Sequence, residues 1–261
     1  MIMLLAKRIR AAPLISRNLD NGYAYPRAFI FFYNMSKQIF PPVKVAILID
    51  GGFFVKRFNA LYNINRDMTG AEVANHLYTM AHKHVGQNNT LYRIFYYDCL
   101  PLSKKAHNPI TGSPIDFSKS DEYKFRIELM EELKKKRKVA LRIGTLKDNN
   151  CWRIYPRKEK ELLSGKITMS DLTEKDVYME VHQKGIDMKI GVDITSLALK
   201  KFVDTIVLFS GDSDFVPAAK LSRREGIDFI LDPMKSNVEP QLFEHVDGMR
   251  SVSPFVRKNK R

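Results

Sequence analysis

Cysteine is nearly missing from this chain: its 261 residues hold two, Cys99 and Cys151. They lie far apart and form no CxxC pair, which argues against a disulfide framework and offers no zinc-site spacing. Long apolar runs are missing as well. "MIMLL" (1–5) and "AFIFFY" (28–33) fall well short of the roughly 18 residues of a membrane helix, so a soluble chain in a reducing cytoplasm is expected, with no membrane partner. No GxGxxG, P-loop or Ser-His-Asp order is present, so nucleotide-binding loops and nucleophilic triads lack support. The six histidines give no ligand pattern; His76, His82 and His84 crowd one segment and read as surface residues. No internal repeat or low-complexity tract appears. Acid is the scarce charge: 29 Asp and Glu stand against 43 Lys and Arg, a net charge of +14. Such an excess favours a polyanionic partner, nucleic acid before an acidic membrane surface.

What is there is an alternation. "VKVAILI" (43–49), "LYRIFYY" (91–97), "DTIVLFS" (204–210) and "DFILD" (228–232) are short and nearly continuous in apolarity, as strands buried on both faces are. Amphipathic stretches at 71–85, 187–203 and 214–225 lie between them, the last stopping at Gly226 as a C-capped helix does. Strand alternating with helix predicts an open α/β sheet, with binding at the carboxyl ends of its strands. Residues 1–42 read as a poorly ordered N-terminal extension, and 1–34 as a transit-type leader or an upstream extension of the reading frame before Met35. The main domain is expected over 43–250 and a basic tail over 251–261. Residues 99–180 break the rhythm. "HNPITGSPIDFSKSD" (107–121) is turn-rich, 122–138 reads as a charged helix, and "KVALRIG" with "CWRIYPR" (151–157) reads as a hairpin. Together they suggest an insertion that serves as a lid or substrate-gripping arm.

Against the basic background, acids gather at the ends of the strands. Asp50 ends "VAILID", and Asp212 and Asp214 follow "TIVLFSG". If the two strands are neighbours, three carboxylates share one crevice. "KGIDMKIGVDI" adds Asp187 at a helix start and Asp193 within it; six residues advance a helix by about 600°, so these two point roughly 120° apart. Each acid also has a purely structural reading. Asp212 suits an N-cap shared with Ser213, Asp187 a cap after Lys184 and Gly185, Asp50 a turn before Gly51 and Gly52, and Asp193 a partner for Lys189. The conjunction favours one site instead, because crowded carboxylates oppose folding unless divalent cations such as Mg²⁺ or Mn²⁺ neutralise them. Two such ions can drive phosphodiester cleavage. Ser210 and Ser213 flank the pair as possible support, and Asp98, ending "IFYYD", reads as a supporting or structural acid.

"VAILIDGGFF", "KGIDMKIGVDI" and "VLFSGDSDFVPAAKLSRREGIDFIL" resemble the signature blocks of the NYN domain, a PIN-like nuclease fold, in its bacterial LabA-like branch. The resemblance runs over about residues 43–235 with a gap at the insertion. It implies a three-layer α/β/α fold with a central, mostly parallel sheet, an aspartate cluster binding Mg²⁺ or Mn²⁺, and ribonuclease activity. By motif position it makes Asp50, Asp187, Asp212 and Asp214 the catalytic and metal-binding acids, with Asp193 a further matched one. The chain departs from the pattern at "DGGFF", where many relatives carry an asparagine soon after the first aspartate.

Basic blocks complete the reading: Lys134, Lys135, Lys136 and Arg137; Arg153 and Arg157; Arg223 and Arg224; and the terminal "VRKNKR". With Trp152, Tyr155 and Tyr123 available to stack on unpaired bases, single-stranded or structured RNA is the expected partner. The expected function is a metal-dependent endoribonuclease. The alternatives are a Toprim-like or DNA-directed phosphodiesterase and a non-catalytic RNA-binding module. The sequence leaves a homo-oligomer open.

Overall fold

Strands covered on both faces need unbroken apolar runs, and the four apolar runs supply them. The computed structural model describes residues 41–255 and, before them, two short strands, Ser16–Arg17 and Ala24–Tyr25, which pair antiparallel. The chain divides into two units, residues 1–42 and 43–261. The expected packing of residues 1–34 and the terminal "VRKNKR" lie outside the described residues, those two strands apart. In chain order the second unit runs β1 (Lys44–Asp50), α1 (Gly51–Tyr62), α2 (Gly70–Lys83), β2 (Thr90–Cys99), β3 (Lys105–His107), β4 (Pro114–Asp116), α3 (Asp121–Lys134) and β5 (Val139–Ile154). It continues with α4 (Pro156–Leu163), β6 (Val177–Lys184), α5 (Ile186–Leu199), β7 (Thr205–Phe209), α6 (Val216–Arg224), β8 (Asp228–Asp232), α7 (Pro240–Phe243) and β9 (Gly248–Met249).

Seven strands form one sheet in the order β9-β8-β7-β1-β2-β5-β6, parallel except for the β5–β6 pair. Alternate residues of each strand enter opposite layers. Val45, Ile47, Ile49, Ile94, Tyr96, Val207 and Phe209 pack under α1, α2 and α3. Ala46, Leu48, Phe95, Tyr97, Ile206, Leu208 and Phe229 pack under α5, α6 and α7. The result is the three-layer α/β/α arrangement the sequence predicts. Local chemistry sets the helix ends: Thr69 and Glu72 close a capping box on α2, and Ser120 accepts the Tyr123 N–H to start α3.

Three expectations need correction. Residues 99–180 are not wholly inserted: α3 and the first part of β5 are a regular crossover, with Val139–Gly144 paired to Ile94–Cys99. Nor do "KVALRIG" and "CWRIYPR" form a hairpin with each other. They are the two ends of one sixteen-residue strand, β5, whose partner is β6, because β5 outruns β2 and its far half needs a neighbour of its own. That far half and β6 make an arm projecting beyond the carboxyl edge of the sheet. The main body also runs past 250, since Val252 is buried and its N–H donates to Asp232 Oδ2 at 3.2 Å.

Candidate active site

β1 and β7 are neighbours, with Ile49 level with Phe209, so the chain leaves both strands at one edge of the sheet. Asp50 is the last residue of β1, and Asp212 and Asp214 follow the end of β7 beside it. Asp50 caps α1, accepting the Phe53 N–H at 3.0 Å. Asp212 caps the turn Ser213–Phe215, accepting the Asp214 N–H at 2.9 Å. The structural readings of these two acids hold, and both acids stand at the same edge of the sheet. Burial, and after it the charges of Asp187 and Asp98, raise the Asp50 carboxyl from 3.8 to about 6, with the Phe53 N–H pulling the other way. Asp187 stands in the first turn of α5, where Gly185, at φ +78°, takes the cap position. Its carboxyl is also raised, by partial burial and then by Asp212 and Asp214, even though the residue is exposed. Acids from three segments of the chain thus feel one another.

The remaining acids have partners. Asp193 does not stand free beside the others, nor does it pair with Lys189. Its Oδ2 accepts from the Tyr97 hydroxyl at 2.8 Å and from Arg142 Nε at 2.9 Å, because the helix turns it toward β2 and β5. Asp98 is fully buried and meets four donors: the Tyr96 hydroxyl at 3.0 Å, the Cys99 N–H at 2.8 Å, Arg126 Nη1 at 2.8 Å and Gln183 Nε2 at 3.1 Å. Ser210 is buried, and its Oγ accepts the Asp212 N–H at 3.2 Å, shaping the turn; Ser213 begins the short helical turn after it. Gly51 is required by close approach, since a Cβ there would lie 2.6 Å from the Tyr96 ring and 2.7 Å from the Tyr97 carbonyl oxygen.

Asp50, Asp187, Asp212 and Asp214 fit a hard divalent cation in donor type and in charge. As they stand, no three Asp, Glu, His or Cys side chains among the described residues gather closely enough to hold an ion.

The basic residues separate by edge. α3 and α6 run back from the carboxyl edge, so Lys134, Lys135, Lys136, Arg137, Arg223 and Arg224 at or just past their last turns sit toward the opposite edge. Several are also paired: Lys134 with Glu131 and Lys135 with Glu132, each at 2.6 Å, and Arg223 with Asp247 at 2.8 Å. Lys136 donates to the Asn75 side chain. Arg153, in the arm, and Arg157, at the start of α4, lie on the same side as the acids, paired with Glu180 at 3.2 Å and Glu161 at 3.4 Å. Trp152 is half-buried beside Phe117, and Tyr155 is exposed and rests on Tyr178. Tyr123, half-buried, lies in the first turn of α3.

His84 is not a surface residue. The last turn of α2 faces inward, and His84 Nε2 lies 2.9 Å from Asp232 Oδ2, both side chains being buried. Sequence reasoning also passed over Arg126, Arg142 and Gln183, the partners of Asp98 and Asp193. The period-two pattern of β6 carries a signal for Gln183 alone, four residues before Asp187.

No curated protein matches the chain. A solved structure of a Vibrio parahaemolyticus protein of unknown function aligns with 82% of this chain and 94% of that one, at 16% identity and a TM-score of 0.42. The family model of the NYN domain matches residues 119–242, a span that takes in Asp187, Asp193, Asp212 and Asp214 and leaves out Asp50. Over that span the chain is similar to the NYN domain.

Proposed function

We propose that this chain is a metal-dependent endoribonuclease of the LabA-like kind, working in the reducing cytoplasm. The observation that carries the reading is the gathering of acids at the carboxyl edge of the sheet: Asp50, Asp187, Asp212 and Asp214 come from three segments of a chain with net charge +14, and the Asp50 and Asp187 carboxyls are raised by burial and then by their acidic neighbours. These four would hold Mg²⁺ or Mn²⁺, which when bound supplies activation of a water nucleophile and charge neutralisation at the phosphate. Asp50 is fixed by the Phe53 N–H, and Asp187 by its place in the first turn of α5. Arg153 and Arg157 draw the phosphate backbone to the acid side, and Trp152 and Tyr155 offer faces to unpaired bases. Water oxygen bonds to phosphorus as the water gives up a proton, the bond from phosphorus to the leaving sugar oxygen breaks, and that oxygen takes up a proton.

The test is cleavage of end-labelled single-stranded RNA and of the matching DNA in Mg²⁺, Mn²⁺ or EDTA, by wild type, Asp50→Asn and Asp212→Asn. RNA cutting that needs the cation and falls by at least about a hundredfold in both variants is expected. Preference for DNA would move the chain to the DNA-directed phosphodiesterases. RNA binding without cutting by any of the three would make it a binding module.

A further inference from the structure

We infer that Gln183 is a positioning residue through which the β5–β6 arm completes the acid cleft, an inference that rests on the nuclease reading. Three observations converge on it. Gln183 Nε2 donates to Asp98 Oδ1 at 3.1 Å, and Asp98 is the buried acid just behind Asp50. A Cβ placed on Gly52 would lie 3.4 Å from Gln183 Oε1 and 3.5 Å from Asp50 Oδ1, so the carboxamide and the Asp50 carboxylate border the same point above the start of α1. Gln183 pairs with Leu146 at the base of the arm and precedes Asp187 by four residues.

The orientation of the amide follows from its partner. Asp98 accepts from four donors, so the NH₂ of Gln183 faces Asp98, and the amide as a whole stands over Gly52. A Cβ on Gly52 would touch both ends of the amide at ordinary contact distance, 3.4 Å from Oε1 and 3.6 Å from Nε2, so a longer side chain there would press on it. Between Gln183 and the start of α5 stand only Lys184 and Gly185, the latter held at φ +78°. Gly144 tightens the joint from the other side, since a Cβ there would come 2.6 Å from Ile186 Cδ1 and 3.0 Å from the Lys184 carbonyl oxygen. With so little slack, tying Gln183 to Asp98 fixes where Asp187 stands relative to Asp50. The arm, which carries Arg153 outward, is thereby keyed to the acids at its root.

The experiment compares Gln183→Leu and Gly52→Leu with wild type in steady-state RNA cleavage, RNA binding, thermal unfolding and amide hydrogen exchange. Gln183→Leu keeps the side-chain bulk without the amide, and Gly52→Leu puts a side chain where the amide lies. The expected result in both is kcat lower by roughly 10- to 100-fold, KM and RNA affinity within about twofold, and faster exchange over residues 184–187. The unfolding midpoint holds in Gln183→Leu because Asp98 keeps three donors. Unchanged exchange with kcat within about twofold would overturn the inference, as would a rise in KM at constant kcat, which would make Gln183 a substrate-holding group. If wild type cuts no RNA, the nuclease reading fails, and the exchange data still decide whether Gln183 fixes Asp187.

Discussion

Asp50 shows what a residue at such a site costs the fold. An ordinary aspartate ionises near 3.8, whereas burial and its acidic neighbours raise this one to about 6. The native state therefore binds a proton between roughly pH 4 and 6 that the unfolded chain has released, and stability falls as pH rises through that window. The shift corresponds to at most about 3 kcal/mol, fully present as a penalty above pH 6 in the absence of a cation. Asp50→Asn keeps an oxygen to accept the Phe53 N–H and removes the charge. In EDTA it is expected to be more stable than wild type at pH 8, by up to about 3 kcal/mol, and equal to it at pH 4, while losing cleavage. Urea unfolding of both proteins at the two pH values checks this; an equal difference at both would remove charge as the cause. The sequence disclosed this residue because it ends an apolar run. It did not disclose Gln183 or Arg126, whose roles come from partners 85 and 28 residues away in the chain.

At the level of elements, direction along the sheet decides which charges can work together. A parallel strand hands its carboxyl end to the site, and the helix after it carries its last turn to the far edge. Composition and charge runs hold no such direction, which is why the basic blocks, taken from the sequence, joined Lys134 and Lys135 to the same surface as Arg153. The expected consequence is a separation in binding. Arg153→Ala with Arg157→Ala should weaken single-stranded RNA binding and lower the slope of log affinity against log salt by about 1 for each phosphate no longer neutralised. Lys134→Ala with Lys135→Ala should leave both close to wild type. Titrations at several salt concentrations read the two pairs directly, and a larger effect from the lysines would reverse the assignment of the binding face. The arm itself was half legible. "CWRIYPR" looked like a strand, but its continuity with "KVALRIG" was hidden by "TLKDNN", polar residues that β5 accommodates once it leaves the sheet for the arm.

For the whole molecule, the sheet's carboxyl edge is held by the end of the chain, which the sequence presented as a basic tail. Asp232, at the end of β8, joins three parts of the chain: its Oδ1 accepts the Met234 N–H at 2.8 Å, and its Oδ2 meets His84 and the Val252 N–H. Lys83 Nζ donates to the Ser253 carbonyl at 2.6 Å, and Phe255 sets its ring against His76, 5.0 Å between centroids. These contacts close α2 and the loop after β8 together. That loop reaches the acids, because Arg57 of α1 holds the Met234 carbonyl at 3.0 Å and a Cβ on Gly211 would lie 3.4 Å from Ser236 Oγ. Ending the chain after Arg250 should therefore do more than shorten it. It uncovers the apolar surface that Val252 buries, opens the His84–Asp232 pair to water and frees the loop beside Gly211. A loss of about 2–4 kcal/mol in unfolding free energy is expected, from the exposed side chain and the broken hydrogen bonds. Cleavage should fall even where the truncated protein is fully folded, since the loop beside Asp212 is no longer tied down. Urea unfolding with activity measured well below the midpoint separates the two effects. Stability and activity both at wild-type levels would show that residues 251–255 only rest on the surface.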